Sequence, residues 1–191
     1  MFRYQDQSGT SSVLQPGRDL LAAGLALYGV RTRLVLAGEG GANQYLLDKG
    51  VGEFIVEKPL TAPPLIGTGE QVILATAAPD FFEDPFDGLV KKVKTENIVR
   101  YQHTGLAALD CYGVMVGEGL WVGQAGLGLL YHAVPLAFIA DKGGGKVVPH
   151  ILEIIPSHIH QKVQLAVISG LETEWSQEMH GHGDGKSCDN G

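Results

Sequence analysis

The chain has 191 residues and a net charge of −7, from 14 basic and 21 acidic side chains. No stretch is rich enough in Lys and Arg to neutralise phosphates, so nucleic acid is excluded as a partner. Two distant cysteines, Cys111 and Cys188, exclude a disulfide scaffold and fit a reducing compartment. The N-terminal residues lack the pattern of a secretion signal and no apolar stretch reaches membrane-spanning length, which predicts a cytoplasmic protein with no membrane partner.

The first half of the chain predicts helices and strands in alternation. Residues 16–19 read as a helix entry, and the apolar positions that follow predict a helix over 20–28, ended by Gly29. Residues 31–37 alternate and then become continuously apolar, as in a strand that enters the core. The remaining predictions for this half are a short helix over 42–49 and two strands over 53–57 and 71–76.

The second half is predicted with the same period-based reasoning. It begins with a helical turn at 89–94 and a strand over 97–102, and residues 104–119 fit helix or strand equally well. The pattern then predicts a helix over 120–131, a strand over 135–140, a helix over 147–155 and a last strand over 162–169.

Apolar strands that alternate with helices predict an α/β fold. Its mostly parallel sheet has helices on both faces, in a three-layer, Rossmann-like arrangement. Residues 1–175 form one domain in this prediction, and 176–191 form a polar tail rich in Gly and His. Two segments, AGLALYGVRTRLVLAGEGG from Ala23 and AGLGLLYHAVPLAFIADKGGG from position 125, share their order of motifs, which raises the hypothesis of two similar half-units.

Two glycine-rich turns follow predicted strands and are the predicted ligand-binding segments. In doubly wound sheets, ligands bind beyond the carboxyl ends of strands, where free N–H groups at helix N-termini favour anions. Neither turn matches a dinucleotide or P-loop pattern, and the alternative is that the glycines only permit tight corners. The predicted ligand-binding residues are Gly38, Gly40, Gly41, Asn43, Gly143, Gly144 and Gly145.

The same turns supply the predicted catalytic residues. Asp141 and Lys142 place an acid and a base directly after a predicted strand, and Glu39 lies in the first turn. His103 and Glu118 are supporting acid–base candidates. The alternative is that Asp141 and Lys142 are a solvated pair at a helix start. Cys111 has no cationic neighbour in sequence and is interpreted as a small buried apolar residue.

Three groups of residues leave a metal site open, and its ligands are not identified. The acids of an acidic loop, at positions 80, 83, 84 and 87, suit a hard divalent cation. His158 and His160 point to one side if extended, and the tail contains His180, His182, Asp184 and Cys188. Structural or solvated roles are the alternative for each group, and the cofactor stays unknown, with a divalent cation as the one suggested.

These patterns lead to hypotheses of different classes. The first is an enzyme that acts on a small polar metabolite by proton transfer, as a lyase or isomerase, because no cofactor motif appears. Whether the chain is an enzyme at all stays open. The alternatives are a non-catalytic subunit of a homo-oligomeric assembly and a metal-handling protein. A charged fraction of only 18% favours a homo-oligomer with a small-molecule ligand.

Overall fold

Four strands of the first half form an antiparallel sheet, which we call the meander sheet. The computed structural model describes residues 13–63, 71–76, 86–124 and 126–170. The strands are β1 (Ala23–Leu27), β2 (Arg33–Gly38), β3 (Gly41–Asp48) and β4 (Glu53–Pro59), and each pairs with the next in sequence. Such order needs only short hairpin connections, which the turns before Arg33, Gly41 and Glu53 provide.

The second sheet is mixed, and the described residues contribute five strands to it. They are β5 (Gln71–Thr76), β6 (Ile98–Gln102), β7 (Gly119–Val122), β9 (Lys146–Val148) and β11 (Ala166–Ser169), in the order β6-β5-β7-β11-β9. Strand β5 runs parallel to both of its neighbours, β6 and β7, whereas β11 is antiparallel to β7 and β9. A separate two-stranded ribbon joins β8 (Leu127–Gly128) and β10 (Lys162–Val163).

In the part of the chain that the structure describes, three helices cover the sheets and create a layered arrangement. Helix α1 (Phe86–Glu96) packs its apolar face, which includes Val90 and Val93, on one side of the mixed sheet. Helices α2 (Ala107–Val116) and α3 (Val134–Lys142) lie between the other side of that sheet and the meander sheet. The order of layers is therefore α1, mixed sheet, α2 with α3, meander sheet.

The predicted α/β class is confirmed, but the mostly parallel, Rossmann-like detail is not. Helices do cover both faces of the mixed sheet, yet among its described strands only the pairs that β5 forms with β6 and β7 are parallel. The strands predicted at 31–37, 71–76, 135–140 and 162–169 were expected in one sheet. The first lies in the meander sheet, the third is helix α3, and the last divides into β10 and β11.

Five predicted elements have the wrong type. One is the helix predicted over 120–131, a range that instead holds most of β7, all of β8 and the start of a π-helical turn (Leu129–Ala133). Residues 20–28 and 42–49 are strands β1 and β3 in place of helices, and β1 alternates between buried and exposed residues as a strand does. Residues 135–140 are helical: Pro135 lies in the first turn of α3, where a proline is tolerated, and the helix is buried from Leu136 to Ala140. A short apolar run has no period that separates a buried helix from a buried strand. Residues 147–155 hold β9 and a single 3-10 turn in place of a helix.

The hypothesis of two similar half-units is also wrong for the described residues. The first segment folds into the β1–β2 hairpin. The second holds β8, a five-residue π-helical turn (Leu129–Ala133) and α3. The same order of apolar residues and glycines thus serves two different structures. Among the described residues, no helix combines the length and the apolarity needed to cross a membrane.

Candidate functional site

A cavity of about 350 Å³ opens at one edge of the mixed sheet. Polar and aromatic side chains line it, and the most prominent are Thr76, His103, Asp110, Trp121, Gln124 and His132. The cavity combines a few polar groups with apolar walls, as small-molecule sites commonly do. It is the strongest candidate for a functional site in the part of the chain that the structure describes.

The topology of the sheet places this cavity. Thr76 is the last residue of β5, His103 directly follows β6, and Val122 is the last residue of β7. Because these three strands are parallel, their carboxyl ends meet at the same edge. Open α/β sheets bind ligands in the crevice outside these ends. The cavity lies beyond strand carboxyl ends, where the sequence predicts a site, but of the residues assigned to that site only His103 lines it. The location of the site stays a prediction.

Asp110 fixes the connection between β6 and α2. Its side chain is almost fully buried, and the carboxylate accepts hydrogen bonds from Thr104. The backbone N–H of Thr104 lies 3.0 Å from Oδ1 and 3.2 Å from Oδ2, and the Thr104 hydroxyl donates to Oδ1 over 2.8 Å. The hydroxyl in turn accepts from the N–H of Leu106. A buried carboxylate is tolerated when it is satisfied in this way, so the loop has one preferred conformation.

The imidazole of His103 faces the same carboxylate. Its Nδ1 lies 3.5 Å from Oδ2 of Asp110, within ion-pair range, and the His103 side chain is 40% exposed whereas that of Asp110 is 3% exposed. The second histidine of the cavity, His132, packs against Tyr131 with a centroid distance of 4.5 Å and an interplanar angle of 58°. The cavity thus contains a fixed acid–imidazole pair and a second imidazole.

The two glycine turns lie together, but outside the lining of this cavity. A Cβ on Gly41 would lie 3.7 Å from the carbonyl oxygen of Lys142, so the β2–β3 hairpin turn contacts the end of α3. The carbonyl of Gly143 accepts a hydrogen bond of 2.6 Å from Ala62 N–H. Gly41 and Gly144 have φ angles of +100° and +80°, a conformation that favours glycine. These observations agree with the alternative interpretation of tight corners.

The predicted anion site required each glycine turn to lead from a strand into a helix N-terminus, and neither turn does so. The first turn, which includes Gly38 and Gly40, joins two strands, and residues 143–145 follow the carboxyl end of α3. The C-terminus of a helix carries partial negative charge and repels anions. Asn43 lies within β3, opposite Leu36 and Pro59. Ligand binding by these residues stays a prediction.

The predicted catalytic residues are dispersed. Asp141 and Lys142 form the last turn of α3, where the Lys142 ammonium lies 5.4 Å from the Phe138 ring centroid. Glu39 is exposed in the hairpin turn, and Glu118 precedes β7 at its amino end, away from the cavity. Of the five candidates, only His103 lines the cavity.

Sequence reasoning missed most of the cavity. Thr76 and Gln124 had no motif, and Asp110 lay in a region whose structure the sequence left ambiguous. The structure also places His132 in the lining. The one usable signal was position, since Thr76 ends a correctly predicted strand. Cys111 is buried as predicted, and burial raises the pKa of its thiol to about 12.

The described residues do not present a metal site. Across residues 13–63, 71–76, 86–124 and 126–170, no group of three His, Cys, Asp or Glu side chains is arranged to hold an ion. Asp87 forms an ion pair of 2.6 Å with Lys91 on α1, and His158 contacts Ser157. The other acids of the predicted acidic loop, and the tail with its histidines and Cys188, lie outside the described residues.

Comparison with known proteins gives one consistent result. Residues 1–59 match the family described as fructose-1-6-bisphosphatase, N-terminal domain. The chain is 31% identical over 190 residues to fructose-1,6-bisphosphatase 1 of Mus musculus, covering 92% of this chain and 55% of that protein. It is 33% identical to the fructose-1,6-bisphosphatase of Saccharomyces cerevisiae, covering 88% and 53%. The chain thus spans about half the length of these relatives.

The fold has a similar counterpart among solved structures. The crystal structure of Leishmania major fructose-1,6-bisphosphatase in holo form matches with a TM-score of 0.74 and 24% identity, over 87% of this chain and 56% of that one. At this identity the match supports the fold alone. The relatives named above are bisphosphatases, which are hydrolases. The sequence prediction of lyase or isomerase chemistry is therefore wrong.

Proposed function

We propose that the chain acts on a phosphorylated sugar of the fructose 1,6-bisphosphate class, as a phosphomonoester hydrolase, and that the cavity at the carboxyl ends of β5, β6 and β7 receives the substrate. The observation that carries the proposal is 31% identity to a fructose-1,6-bisphosphatase over 92% of this chain. A small polar metabolite, the substrate class expected from sequence, includes such sugars.

The chemistry of the cavity supports this assignment. Thr76, Gln124 and the two histidines offer hydrogen-bonding groups for hydroxyls and phosphate oxygens, and Trp121 supplies an apolar wall. A volume of about 350 Å³ lies within the range of sites for small ligands, which is roughly 300 to 1,000 Å³. The cavity also borders the first turn of α2, and phosphates often bind near helix N-termini.

Phosphatases commonly use two divalent cations. The side chains that line the described cavity do not suit such a pair of ions. Its one carboxylate, Asp110, is already engaged by Thr104 and faced by His103. No further acid lines the cavity among the described residues. We therefore derive no catalytic step through a metal ion, and the divalent cation suggested by the acidic loop stays a prediction.

The test is phosphate release from fructose 1,6-bisphosphate, measured with and without added magnesium. Ala107→Trp, which fills the cavity with a large side chain, should abolish release. Ala26→Trp is the matched control, since Ala26 is exposed on β1, and it should keep the wild-type rate. Equal rates for both variants would place the reaction elsewhere.

The other outcomes separate the alternatives. Binding of the sugar bisphosphate without phosphate release would favour the non-catalytic subunit, and tight binding of a soft metal alone would favour the metal-handling protein.

A homo-oligomer stays a prediction, supported by exposed apolar side chains at Tyr28, Val30 and Val56. Light scattering tests it. The division into a domain of 1–175 and a tail of 176–191 is tested by limited proteolysis.

A further inference from the structure

The geometry of the His103–Asp110 pair indicates which ring nitrogen of His103 can contact a ligand. Asp110 is held by the backbone N–H and the hydroxyl of Thr104, so its carboxylate cannot turn freely. Nδ1 of His103 is the ring nitrogen directed at that carboxylate, 3.5 Å from Oδ2. Because the two nitrogens lie on different edges of the ring, Nε2 is the nitrogen that remains available to a ligand.

The charge of the cavity indicates which ligand group Nε2 would meet. The chain is acidic overall, with a net charge of −7, and Asp110 adds a carboxylate to the cavity. A phosphate that enters needs positive charge or hydrogen-bond donors. Among the described lining residues, His103 and His132 are the side chains that can become cationic.

We propose that His103 binds the phosphate of the ligand through Nε2, and that Asp110 is a positioning residue that holds the ring for this contact. The inference rests on the function proposed above, whose cavity it shares. Asp110 engages Nδ1, while Thr104 fixes Asp110. Removal of Asp110 leaves the imidazole in place but free to rotate, whereas removal of the imidazole deletes the donor itself.

The binding test uses fructose 1,6-bisphosphate as the probe and calorimetry as the readout. His103→Gln should weaken binding by about 10- to 150-fold, the range expected for the loss of one hydrogen bond to a charged group. Asp110→Asn should weaken binding by less, because Nε2 is retained. The matched control is His160→Gln, at an exposed histidine that does not line the cavity, and it should bind as the wild type does.

A second readout distinguishes positioning from a merely structural role. In protein labelled with ¹⁵N-histidine, the ring signals of His103 should shift when the probe is added, and those of His160 should not. Asp110→Asn should change the His103 ring signals of the ligand-free protein while its unfolding midpoint stays measurable. If that variant does not fold, Thr104→Val, which removes one 2.8 Å bond to Asp110, takes its place.

The outcomes of these experiments separate the phosphate contact of His103, the proposed hydrolase activity and the positioning role of Asp110. Wild-type affinity in His103→Gln overturns the inference, even where the chain releases phosphate and the proposed function stands. Binding that depends on His103, in a chain that releases no phosphate, supports the inference and removes the proposed hydrolase. A wild-type chain that does not bind the probe overturns both. Unchanged His103 signals in Asp110→Asn overturn the positioning role of Asp110 alone.

Discussion

One buried hydrogen bond joins the helix that carries Asp110 to the meander sheet. The hydroxyl of Tyr112, on α2, donates to Oε1 of Gln44, on β3, over 2.7 Å. Tyr112 is 9% exposed and Gln44 is 1% exposed, so water cannot replace either partner. The amide nitrogen of Gln44 lies 3.5 Å from the carbonyl of Pro59. The bond therefore satisfies a polar group in the middle of the apolar layer between the two sheets.

Tyr112→Phe removes the donor and leaves Oε1 of Gln44 buried without it. A buried acceptor that loses its partner costs the protein about 1–3 kcal/mol, more than the net contribution of the bond itself, which is about 0.5–1.5 kcal/mol. The ring is retained, so no cavity adds to this cost. We expect the free energy of unfolding to fall by about 1–3 kcal/mol.

Urea unfolding, followed by circular dichroism, measures this change as a lower midpoint with an unchanged slope. The double variant Gln44→Leu/Tyr112→Phe removes both polar groups and should be more stable than Tyr112→Phe alone. Tyr28→Phe, at a tyrosine that is 87% exposed, is the matched control and should unfold as the wild type does. A Tyr112→Phe variant with the wild-type midpoint would refute the argument, as would a double variant less stable than the single one.

Four further predictions concern the glycine turns, the end of α3 and the buried thiol. Gly41→Ala should lose about 1–3 kcal/mol of stability from its positive φ, whereas Gly40→Ala, with open space at its Cβ, should lose much less, as urea midpoints will show. Asp141→Asn should leave sugar-phosphate affinity unchanged in calorimetry, since the residue does not line the cavity; a tenfold loss would restore the sequence prediction. In a Cys188→Ser background, Cys111 should react with a thiol reagent only after unfolding, and rapid labelling of the native protein would contradict its burial. Burial raises the pKa of the Cys111 thiol from 9.0 to about 12. The stability that the buried neutral thiol contributes is therefore present below pH 9 and is lost as pH rises towards 12. Unfolding midpoints measured from about pH 8 to 11 can detect this loss.

The strands of the mixed sheet were the most predictable part of the fold. Residues 71–76 were predicted as a strand and are β5, and the prediction for 97–102 agrees with β6 (Ile98–Gln102) within one residue. Such segments are apolar runs with breaks on both sides, and local sequence contains that information. Which sheet a strand joins is not local. Strand β2 resembles β5 in sequence, but it pairs with its hairpin neighbours because only short turns separate β1, β2 and β3.

Helix α3 shows why the sequence interpretation of the glycine corner failed. The run from Pro135 to Ala140 was predicted as a strand, and the Asp141 turn that followed was therefore predicted at a strand end. The layer between two sheets buries α3 on nearly all sides, so its sequence lacks the polar face that identifies a helix. Once the run is helical, the turn after it carries the opposite end of the dipole, and the argument for an anion site reverses.

The cavity was predictable in position but not in composition. The rule that ligands bind beyond the carboxyl ends of parallel strands indicates the correct edge of the sheet once β5, β6 and β7 are known to be parallel. The residues that meet there are Thr76, His103 and Gln124, which are separated by 27 and 21 positions in sequence. No local pattern can connect such residues, because tertiary packing brings them together. His103 was still among the predicted catalytic residues for a reason that the structure explains: it directly follows a strand, and the strand it follows is one of the three that end at the cavity.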